Sequence, residues 1–286
     1  MRVFVVGGTG AIGRLLVPLL IERGHEVAAT TRLSHRADSL AALGAEPVAV
    51  DALDADALEK EVRNAAPEVA ICQVTSLSGE LSRYGELVTE NARVRPVATA
   101  NTVAAAKAAD ARRVVVQGIA FSYGPGEGLA GEDEPPRDHE IARAAFATDD
   151  AALASELEVV VARYGYFYGP GTWYARDGAG AEALRAGALP ITGRGEDSLV
   201  HIADAAEATV ELAESRVTGI YNVVDDEPAP QRVWMAALAE AVGAPPPPEA
   251  EPIEAPRRGA SNAKIKAELG WAPAYASWRD GFRVGL

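Results

Sequence analysis

Apolar runs alternate with amphipathic stretches through the first 117 residues of the chain. Strands are predicted at residues 3–6, 26–31, 46–50, 68–74 and 113–117, with helices between them at residues 14–23, 39–43, 54–65 and 84–109. Such alternation requires right-handed crossovers and a parallel sheet, so we predict an α/β fold with a doubly wound parallel sheet. Ligands of these sheets bind beyond the carboxyl ends of the strands, where the connecting segments should meet in one crevice.

The pattern continues less regularly beyond residue 117. Helices are predicted at residues 142–157, 179–185, 203–214 and 231–242, and strands at residues 158–164, 199–202 and 219–223. Residues 261 and 262 can cap a last helix that ends near Gly270. Pro96 falls inside the longest helical stretch, and we expect the helix to break there because proline lacks the N–H that a helix interior needs.

A glycine-rich turn joins the first strand to the first helix, as in a Rossmann-type sheet. One glycine makes the turn, the next lets the backbone approach a phosphate, and the third lets the helix pack on the strand. The helix N-terminus then offers free N–H groups to an anion. We predict that this turn binds the pyrophosphate of a dinucleotide through Gly7, Thr9, Gly10, Ala11, Ile12 and Gly13.

The residues after the second strand indicate which dinucleotide binds. An acid about 20 residues past the glycines would bind the adenosine ribose and favour NAD. The strand instead ends at Thr31 and Arg32, with Arg36 following. A guanidinium can form paired hydrogen bonds to a 2′-phosphate, so NADP(H) is predicted in preference to NAD(H). The alternative is that both arginines are merely solvated.

Two further segments, which follow the third and the fourth strand, complete the predicted cofactor site. Asp51 follows the third strand and can accept a hydrogen bond from the adenine amino group, although a role in the turn is an alternative. The residues predicted to bind the cofactor from these segments are Asp51, Ala52, Leu53 and Thr75.

Composition and charge narrow the class of protein. The chain has 286 residues, 48% of them hydrophobic and 24% charged, which is typical of a globular domain. The net charge of −14 argues against a nucleic-acid partner. No apolar run is long enough for a membrane span and no secretion signal is evident, so a cytoplasmic location is expected. The four histidines lack the spacing of metal ligands, and no metal site is predicted.

Motifs along nearly the whole chain resemble one enzyme superfamily. Besides the glycine turn they are Asp51, Asn91, Ser122-Tyr123-Gly124 and the segments at residues 163–171, 199–205, 221–223 and 268–273. These motifs are similar to those of the extended short-chain dehydrogenase/reductase superfamily, in its NAD-dependent epimerase/dehydratase branch. The resemblance implies an NAD(P)-binding Rossmann domain over residues 1–170 that also receives later strands. It further implies a small C-terminal substrate lobe over residues 171–286, a homodimer, and a place beside the nicotinamide for Tyr166.

The chain departs from this superfamily where the catalytic residues are expected. Members carry a Tyr that transfers the carbonyl proton and, four residues later, a Lys that binds the ribose and lowers the pKa of the Tyr. Residues 124–155 contain neither Tyr nor Lys, and the nearest register places Phe146 and Asp150 at those positions. We therefore expect water or another side chain to supply the proton. The first candidates are Tyr168, Tyr166 and Tyr123, each of which could instead pack the lobe against the sheet.

Three hypotheses about activity follow from these observations. The leading one is an NADP(H)-dependent oxidoreductase that acts on a carbonyl, imine or activated alkene of a small organic molecule. The second is an epimerase, dehydratase or isomerase that recycles its cofactor on a nucleotide sugar or a similar substrate. The third is a protein that senses NADP(H) without catalysis, which the absence of the Tyr–Lys pair motivates.

Overall fold

The computed structural model describes residues 1–77, 81–252 and 256–286. The strands are β1 (Arg2–Val6), β2 (Glu26–Thr31), β3 (Glu46–Ala49), β4 (Val69–Cys72), β5 (Arg113–Ile119), β6 (Glu158–Tyr164), β7 (Tyr166–Tyr168), β8 (Glu196–Asp197), β9 (Leu199–His201), β10 (Gly219–Val223) and β11 (Ala229–Pro230). The helices are α1 (Gly13–Glu22), α2 (Ala37–Ala42), α3 (Ala55–Ala65), α4 (Tyr84–Ala108), α5 (Glu140–Leu153), α6 (Ala179–Arg185), α7 (Ile202–Glu214), α8 (Gln231–Ala241), α9 (Ala263–Leu269) and α10 (Trp278–Val284).

Seven parallel strands form the central sheet in the order β10-β6-β5-β4-β1-β2-β3. The chain builds outward from β1 to β3, then returns to place β4 on the other side of β1. The doubly wound parallel sheet predicted from the sequence is thereby confirmed. The order also reverses between β1 and β4, and such a switch point opens a crevice at the carboxyl ends of the strands.

Helices cover both faces of this sheet. Leu16 of α1 and Val210 of α7 lie in the hydrophobic cluster on one face, and Leu58 of α3 and Ala98 of α4 lie in the cluster on the other. A parallel sheet that is buried on both faces needs continuously apolar strands, which explains the uninterrupted apolar run Val3-Phe4-Val5-Val6 of the first strand.

The longest helix, α4, differs from its predicted form. We expected a break at Pro96, yet α4 runs without interruption through that residue. The proline removes one helical hydrogen bond, to the carbonyl of Ala92. Packing of the buried side of α4 on the sheet outweighs that loss, since Ala98, Ala105 and Ala106 are inaccessible or nearly so.

The C-terminal half forms a further hydrophobic cluster around Trp234, Trp278 and Phe282. Helix α10, which contributes two of these rings, was not predicted. Strand β10 comes from the C-terminal half of the chain but pairs with β6 at the edge of the central sheet. The division of the chain at residue 170 into a Rossmann domain and a substrate lobe stays a prediction. Within the described ranges, none of the helices combines the length and the apolar character needed to cross a membrane.

Candidate functional site

A cavity of about 450 Å³ lies across the carboxyl ends of the strands. Its wall is formed by residues that follow six neighbouring strands, from β3 to β6. Because β2 and β3 lie on one side of β1 while β4, β5 and β6 lie on the other, the cavity has two ends, which we call the β3 end and the β6 end. The glycine turn after β1 lies between them.

The conformation of the glycine turn depends on hydrogen bonds from β2. Gly7 has a φ of +96° and donates its N–H to Thr30 Oγ1 at 3.0 Å, and Gly8 donates to the Thr30 carbonyl at 3.1 Å. A Cβ atom on Gly13 would lie 2.4 Å from the Gly7 carbonyl oxygen, so only glycine lets α1 approach the turn this closely. Gly13 therefore packs behind the turn instead of lining the cavity. The anchoring role of Thr30 was not predicted from the sequence.

The turn and the start of α1 fit a dinucleotide pyrophosphate. The residue before α1, Ile12, makes no side-chain capping bond to the first helical N–H groups. The N–H groups of Arg14 and Leu15 donate to the Gly10 and Ile12 carbonyls at 3.1 and 3.0 Å, so an anion here would meet the N–H groups that precede them and the positive end of the helix dipole. Of the residues predicted to bind the cofactor from this turn, five line the cavity: Gly7, Thr9, Gly10, Ala11 and Ile12.

The β3 end combines two guanidinium groups with one carboxylate. Arg32 and Arg36 are exposed and line the cavity, and the described part of the chain offers neither guanidinium an ion-pair partner. Asp51 accepts a hydrogen bond from the Leu53 backbone N–H at 3.0 Å, so it stabilises its own turn as well as facing the cavity. The remaining predicted cofactor residues in the wall are Thr31, Ala52, Leu53 and Thr75. Their binding to a cofactor stays a prediction.

One face of α5 forms the wall at the β6 end. The side chains on that face are Ile141, Ala144, Ala145 and Thr148. The two pairs spaced four residues apart, Ile141–Ala145 and Ala144–Thr148, carry neither a phenol nor an ammonium group.

The predicted alignment that placed Phe146 and Asp150 at the positions of the superfamily Tyr and Lys is therefore wrong. Phe146 is buried beneath Arg163, whose guanidinium carbon lies 3.7 Å from the ring centre, and Asp150 faces solvent.

Two of the three tyrosines predicted as proton donors lie outside the cavity wall, and we correct those assignments. Tyr123 is inaccessible to solvent, and its hydroxyl donates to Asn222 Oδ1 at 2.6 Å and accepts from Arg163 Nη1 at 3.0 Å. Tyr168 is equally buried, with its ring against Gly281 of α10 and near the rings of His201 and Phe282. Both side chains face the protein interior and cannot reach a ligand in the cavity.

Tyr166 is the one predicted donor that lines the cavity. Its ring stacks on Phe121 with ring centres 4.1 Å apart and planes inclined by 13°. Burial raises the pKa of the Tyr166 hydroxyl well above its usual value, and it does the same for Tyr174 nearby in the wall. Both phenols are therefore weaker acids than a free tyrosine at neutral pH.

Several polar residues of the β6 end were not predicted from the sequence. Arg95 reaches the wall from α4, and Gln73 follows β4. Arg137 and His139 lie at the entry to α5, where His139 occupies the N-cap position. Gln73 is a polar residue at the end of a buried strand, a signal that could have identified it. Arg95 gave no such signal, because a cation within a helix normally faces solvent.

The net charge of the wall is opposite to that of the whole protein. The arginines of the described chain that line the cavity are Arg32, Arg36, Arg95 and Arg137. Among the described residues, the only carboxylate in the wall is Asp51, although the chain carries a net charge of −14. A basic cavity in an acidic protein favours anionic ligands.

A doubly wound sheet, a glycine turn before an uncapped helix and a basic cavity at the switch point define the class of nicotinamide-dependent Rossmann enzymes. Comparison with known proteins gives the family. The chain belongs to the NAD(P)H-binding family, which matches residues 7–212, and to the extended short-chain dehydrogenase/reductase superfamily.

The chain is similar to two curated reductases and to a solved epimerase. A Streptomyces sp. protein described as 3-diazoavenalumate denitrifying reductase is 41% identical over 98% of this chain and 99% of the relative. The 2-alkyl-3-oxoalkanoate reductase of Stenotrophomonas maltophilia (strain K279a) is 30% identical over 86% of this chain and 77% of its own length. The UDP-glucose 4-epimerase of Thermus thermophilus, in complex with NAD, has a TM-score of 0.80 at 27% identity, covering 100% of this chain and 97% of that one. The chain is thus an NAD(P)-dependent enzyme of the oxidoreductase type.

Proposed function

We propose that this protein is an NADPH-dependent reductase that removes the diazo group from an aromatic carboxylate. The observation that carries the proposal is the wall of α5, which presents Ile141, Ala144, Ala145 and Thr148 where superfamily members carry a Tyr and a Lys. A site without that pair suits a reduction that consumes hydride but no proton.

The difference between a carbonyl and a diazonium group explains why the pair is dispensable. A carbonyl that accepts hydride becomes an alkoxide, and a general acid must protonate it. NADPH, when bound, supplies a hydride whose transfer to the ring carbon of a diazonium ion forms a C–H bond, breaks the C–N bond and releases dinitrogen with the bonding electrons. The charges balance without a proton, because a cation and a hydride give two neutral products.

The wall of the β6 end supports an aromatic substrate with a negative charge. Phe121 and Tyr166 form a stacked pair there, and Trp173 and Tyr174 extend the aromatic surface. Flat rings bind to such surfaces by stacking or edge contacts. Arg137 supplies a cation to this end of the wall and can hold a carboxylate. The relative with 41% identity is named for a diazo-bearing carboxylate, which agrees with this chemistry.

The preference for NADPH rests on the β3 end. Arg32 and Arg36 are exposed, line the cavity and have no ion-pair partner within the described chain. The phosphate that distinguishes NADPH from NADH could occupy the space between the two guanidinium groups. Charge-assisted hydrogen bonds of this kind give a preference of about tenfold or more.

A second candidate function is reduction of a carbonyl with His139 as the proton donor. His139 lines the cavity at the N-cap of α5, and its buried Nδ1 atom has no hydrogen-bond partner among the described residues. The relative named for an oxoalkanoate supports this alternative. The two candidates differ in whether a proton is transferred, and an isotope experiment can separate them.

The test uses purified protein, a carboxylated aryl diazonium salt and a 3-oxo acid. NADPH labelled with deuterium at C4 of the nicotinamide should place its label on the ring carbon that carried nitrogen, and dinitrogen should appear in step with NADPH consumption. The rate should be the same in H2O and D2O and unaffected by His139→Gln. Heat-denatured protein measures the uncatalysed reduction.

Other outcomes would redirect the assignment. Turnover of the oxo acid alone, slowed in D2O and by His139→Gln, would refute the diazo proposal in favour of carbonyl reduction. Binding of NADPH without turnover of either substrate would favour a sensor, and a cofactor that stays bound through purification would favour the recycling epimerase. Equal affinity for NADPH and NADH would refute the phosphate-binding role of Arg32 and Arg36.

A further inference from the structure

The buried side chain of Arg95 places a cation beside α5, the helix that forms the cavity wall at the β6 end. Arg95 projects from α4 into the cavity wall although only 6% of the residue is exposed. Its Nη2 atom donates to the Ala145 carbonyl and to Asp149 Oδ1, both at 3.1 Å. The guanidinium thus lies against the stretch of α5 that faces the cavity.

Part of the Arg95 guanidinium has no partner among the described residues. In the described chain, its Nε atom makes no hydrogen bond, although it is shielded from solvent. Buried polar atoms are almost always hydrogen-bonded, so an exception in the wall of a cavity indicates a missing ligand.

The same wall holds a further buried atom, on Gln73, that no described residue satisfies. Gln73 follows β4 and is 4% exposed. Its Nε2 atom donates to the Tyr164 hydroxyl at 3.1 Å, while no donor from the described residues reaches its Oε1 atom. Arg95 Nε and Gln73 Oε1 thus give this part of the wall a donor and an acceptor that no described residue uses, both of them buried. A hydroxyl group can accept from the first and donate to the second.

The sheet order indicates which ligand group comes near these atoms. The strand β4 lies beside β1 on the side away from β2, so Gln73 and Arg32 are on opposite sides of the glycine turn. A dinucleotide with its pyrophosphate on the turn and its adenosine toward Arg32 has its nicotinamide ribose on the β4 side. That ribose carries two neighbouring hydroxyls.

We propose that Arg95 and Gln73 bind the hydroxyls of the nicotinamide ribose, with Arg95 taking the place of the missing lysine of α5. The inference rests on the proposed binding of NADPH. Arg95 keeps its charge at every working pH, and Asp149 holds its position. Asp149 also pairs with Arg163 Nε at 2.8 Å, so it retains one cation when Arg95 is replaced.

The test compares NADPH with adenosine 2′,5′-bisphosphate, a fragment that lacks the nicotinamide ribose. Affinity is measured by titration calorimetry for the wild type, Arg95→Met, Arg95→Lys and Gln73→Leu. Arg95→Met should weaken NADPH binding by about tenfold or more and leave fragment binding unchanged. Gln73→Leu should weaken NADPH binding selectively as well, and Arg95→Lys should fall between the wild type and Arg95→Met. Arg93→Met, an exposed position on the same helix, is the matched control and should change neither affinity.

The contrary results would refute either this assignment or the proposed function. Equal losses for NADPH and the fragment would show general damage to the fold and overturn the assignment, as would unchanged NADPH binding in both Arg95→Met and Gln73→Leu. If Arg95→Met does not fold, the selective loss is sought in Arg95→Lys and Gln73→Leu. A wild-type protein that binds neither ligand would refute the proposed function itself, which distinguishes the two failures.

Discussion

Replacing Tyr168 by phenylalanine removes a buried oxygen that has no hydrogen-bond partner in the part of the chain that the structure describes. The residue is inaccessible to solvent, and no described residue bonds to its hydroxyl. Water satisfies the same hydroxyl in the unfolded chain, so folding costs about 1–3 kcal/mol for its desolvation. Tyr168→Phe should therefore raise the free energy of unfolding by about 1 kcal/mol or more. It should leave turnover unchanged, because Tyr168 lies outside the cavity wall.

Tyr164→Phe is the matched control, because the same atom is removed from an equally buried ring. The Tyr164 hydroxyl is hydrogen-bonded to Thr209 Oγ1 at 2.7 Å and accepts from Gln73 Nε2 at 3.1 Å. Its removal takes from Gln73 Nε2 the acceptor that it has among the described residues, while Thr209 Oγ1 keeps its bond to the Ala205 carbonyl at 2.6 Å. The unsatisfied buried donor should lower the free energy of unfolding by about 1–3 kcal/mol. Two identical substitutions four residues apart should thus have opposite effects on stability.

Urea denaturation of both variants and the wild type measures these differences, with the slope against urea concentration showing whether the unfolded states are comparable. A lower stability of Tyr168→Phe would mean that its hydroxyl has a partner, such as a bound water. A loss of turnover in Tyr168→Phe with stability preserved would restore this tyrosine as a proton donor and refute its placement in the core.

Three further predictions concern the cofactor site and one buried acid. Gly13→Ala should abolish NADPH binding in a fluorescence titration, and it should destabilise the fold by about 1–3 kcal/mol, because the added methyl meets the Gly7 carbonyl. The double variant Arg32→Gln/Arg36→Gln should weaken NADPH about tenfold in the same titration and leave NADH unchanged. Burial raises the pKa of Asp225 from 3.8 to about 8, so the folded protein binds a proton that the unfolded chain releases, and stability should fall as pH rises through that window. Asp225→Asn should flatten this dependence in urea denaturation, and an unchanged slope would contradict it.

The sheet could be predicted because its strands are apolar runs with clear ends. The predicted ranges 26–31, 158–164 and 219–223 coincide with β2, β6 and β10. Each begins at a charged or glycine residue and is rich in β-branched or aromatic side chains, a pattern that favours extended structure. The sequence also indicated which segments meet at the cavity, since the carboxyl ends of parallel strands share one edge.

The direction of individual side chains could not be predicted. Tyr166 and Tyr168 belong to the same short strand, yet only Tyr166 lines the cavity. Tyr168 instead packs on Gly281 of α10. That helix has seven residues and contains a glycine, so it is too short and too weak a helix former to be recognised from its own sequence. Tertiary contacts hold it in place, and sequence patterns do not report them.

The missing lysine of α5 and the buried Arg95 belong to one electrostatic arrangement. Arg95 and Arg163 share the single carboxylate of Asp149, so these three buried side chains together carry one net positive charge beside the cavity. A lysine at position 145 would bring a second cation next to a guanidinium that already donates to the carbonyl of that residue. Two neighbouring positive charges, the lysine ammonium and the Arg95 guanidinium, repel each other strongly in a site shielded from water. Arg95 in this position therefore disfavours a lysine there, and in the proposed binding mode the cation that faces the dinucleotide comes from α4 instead of α5.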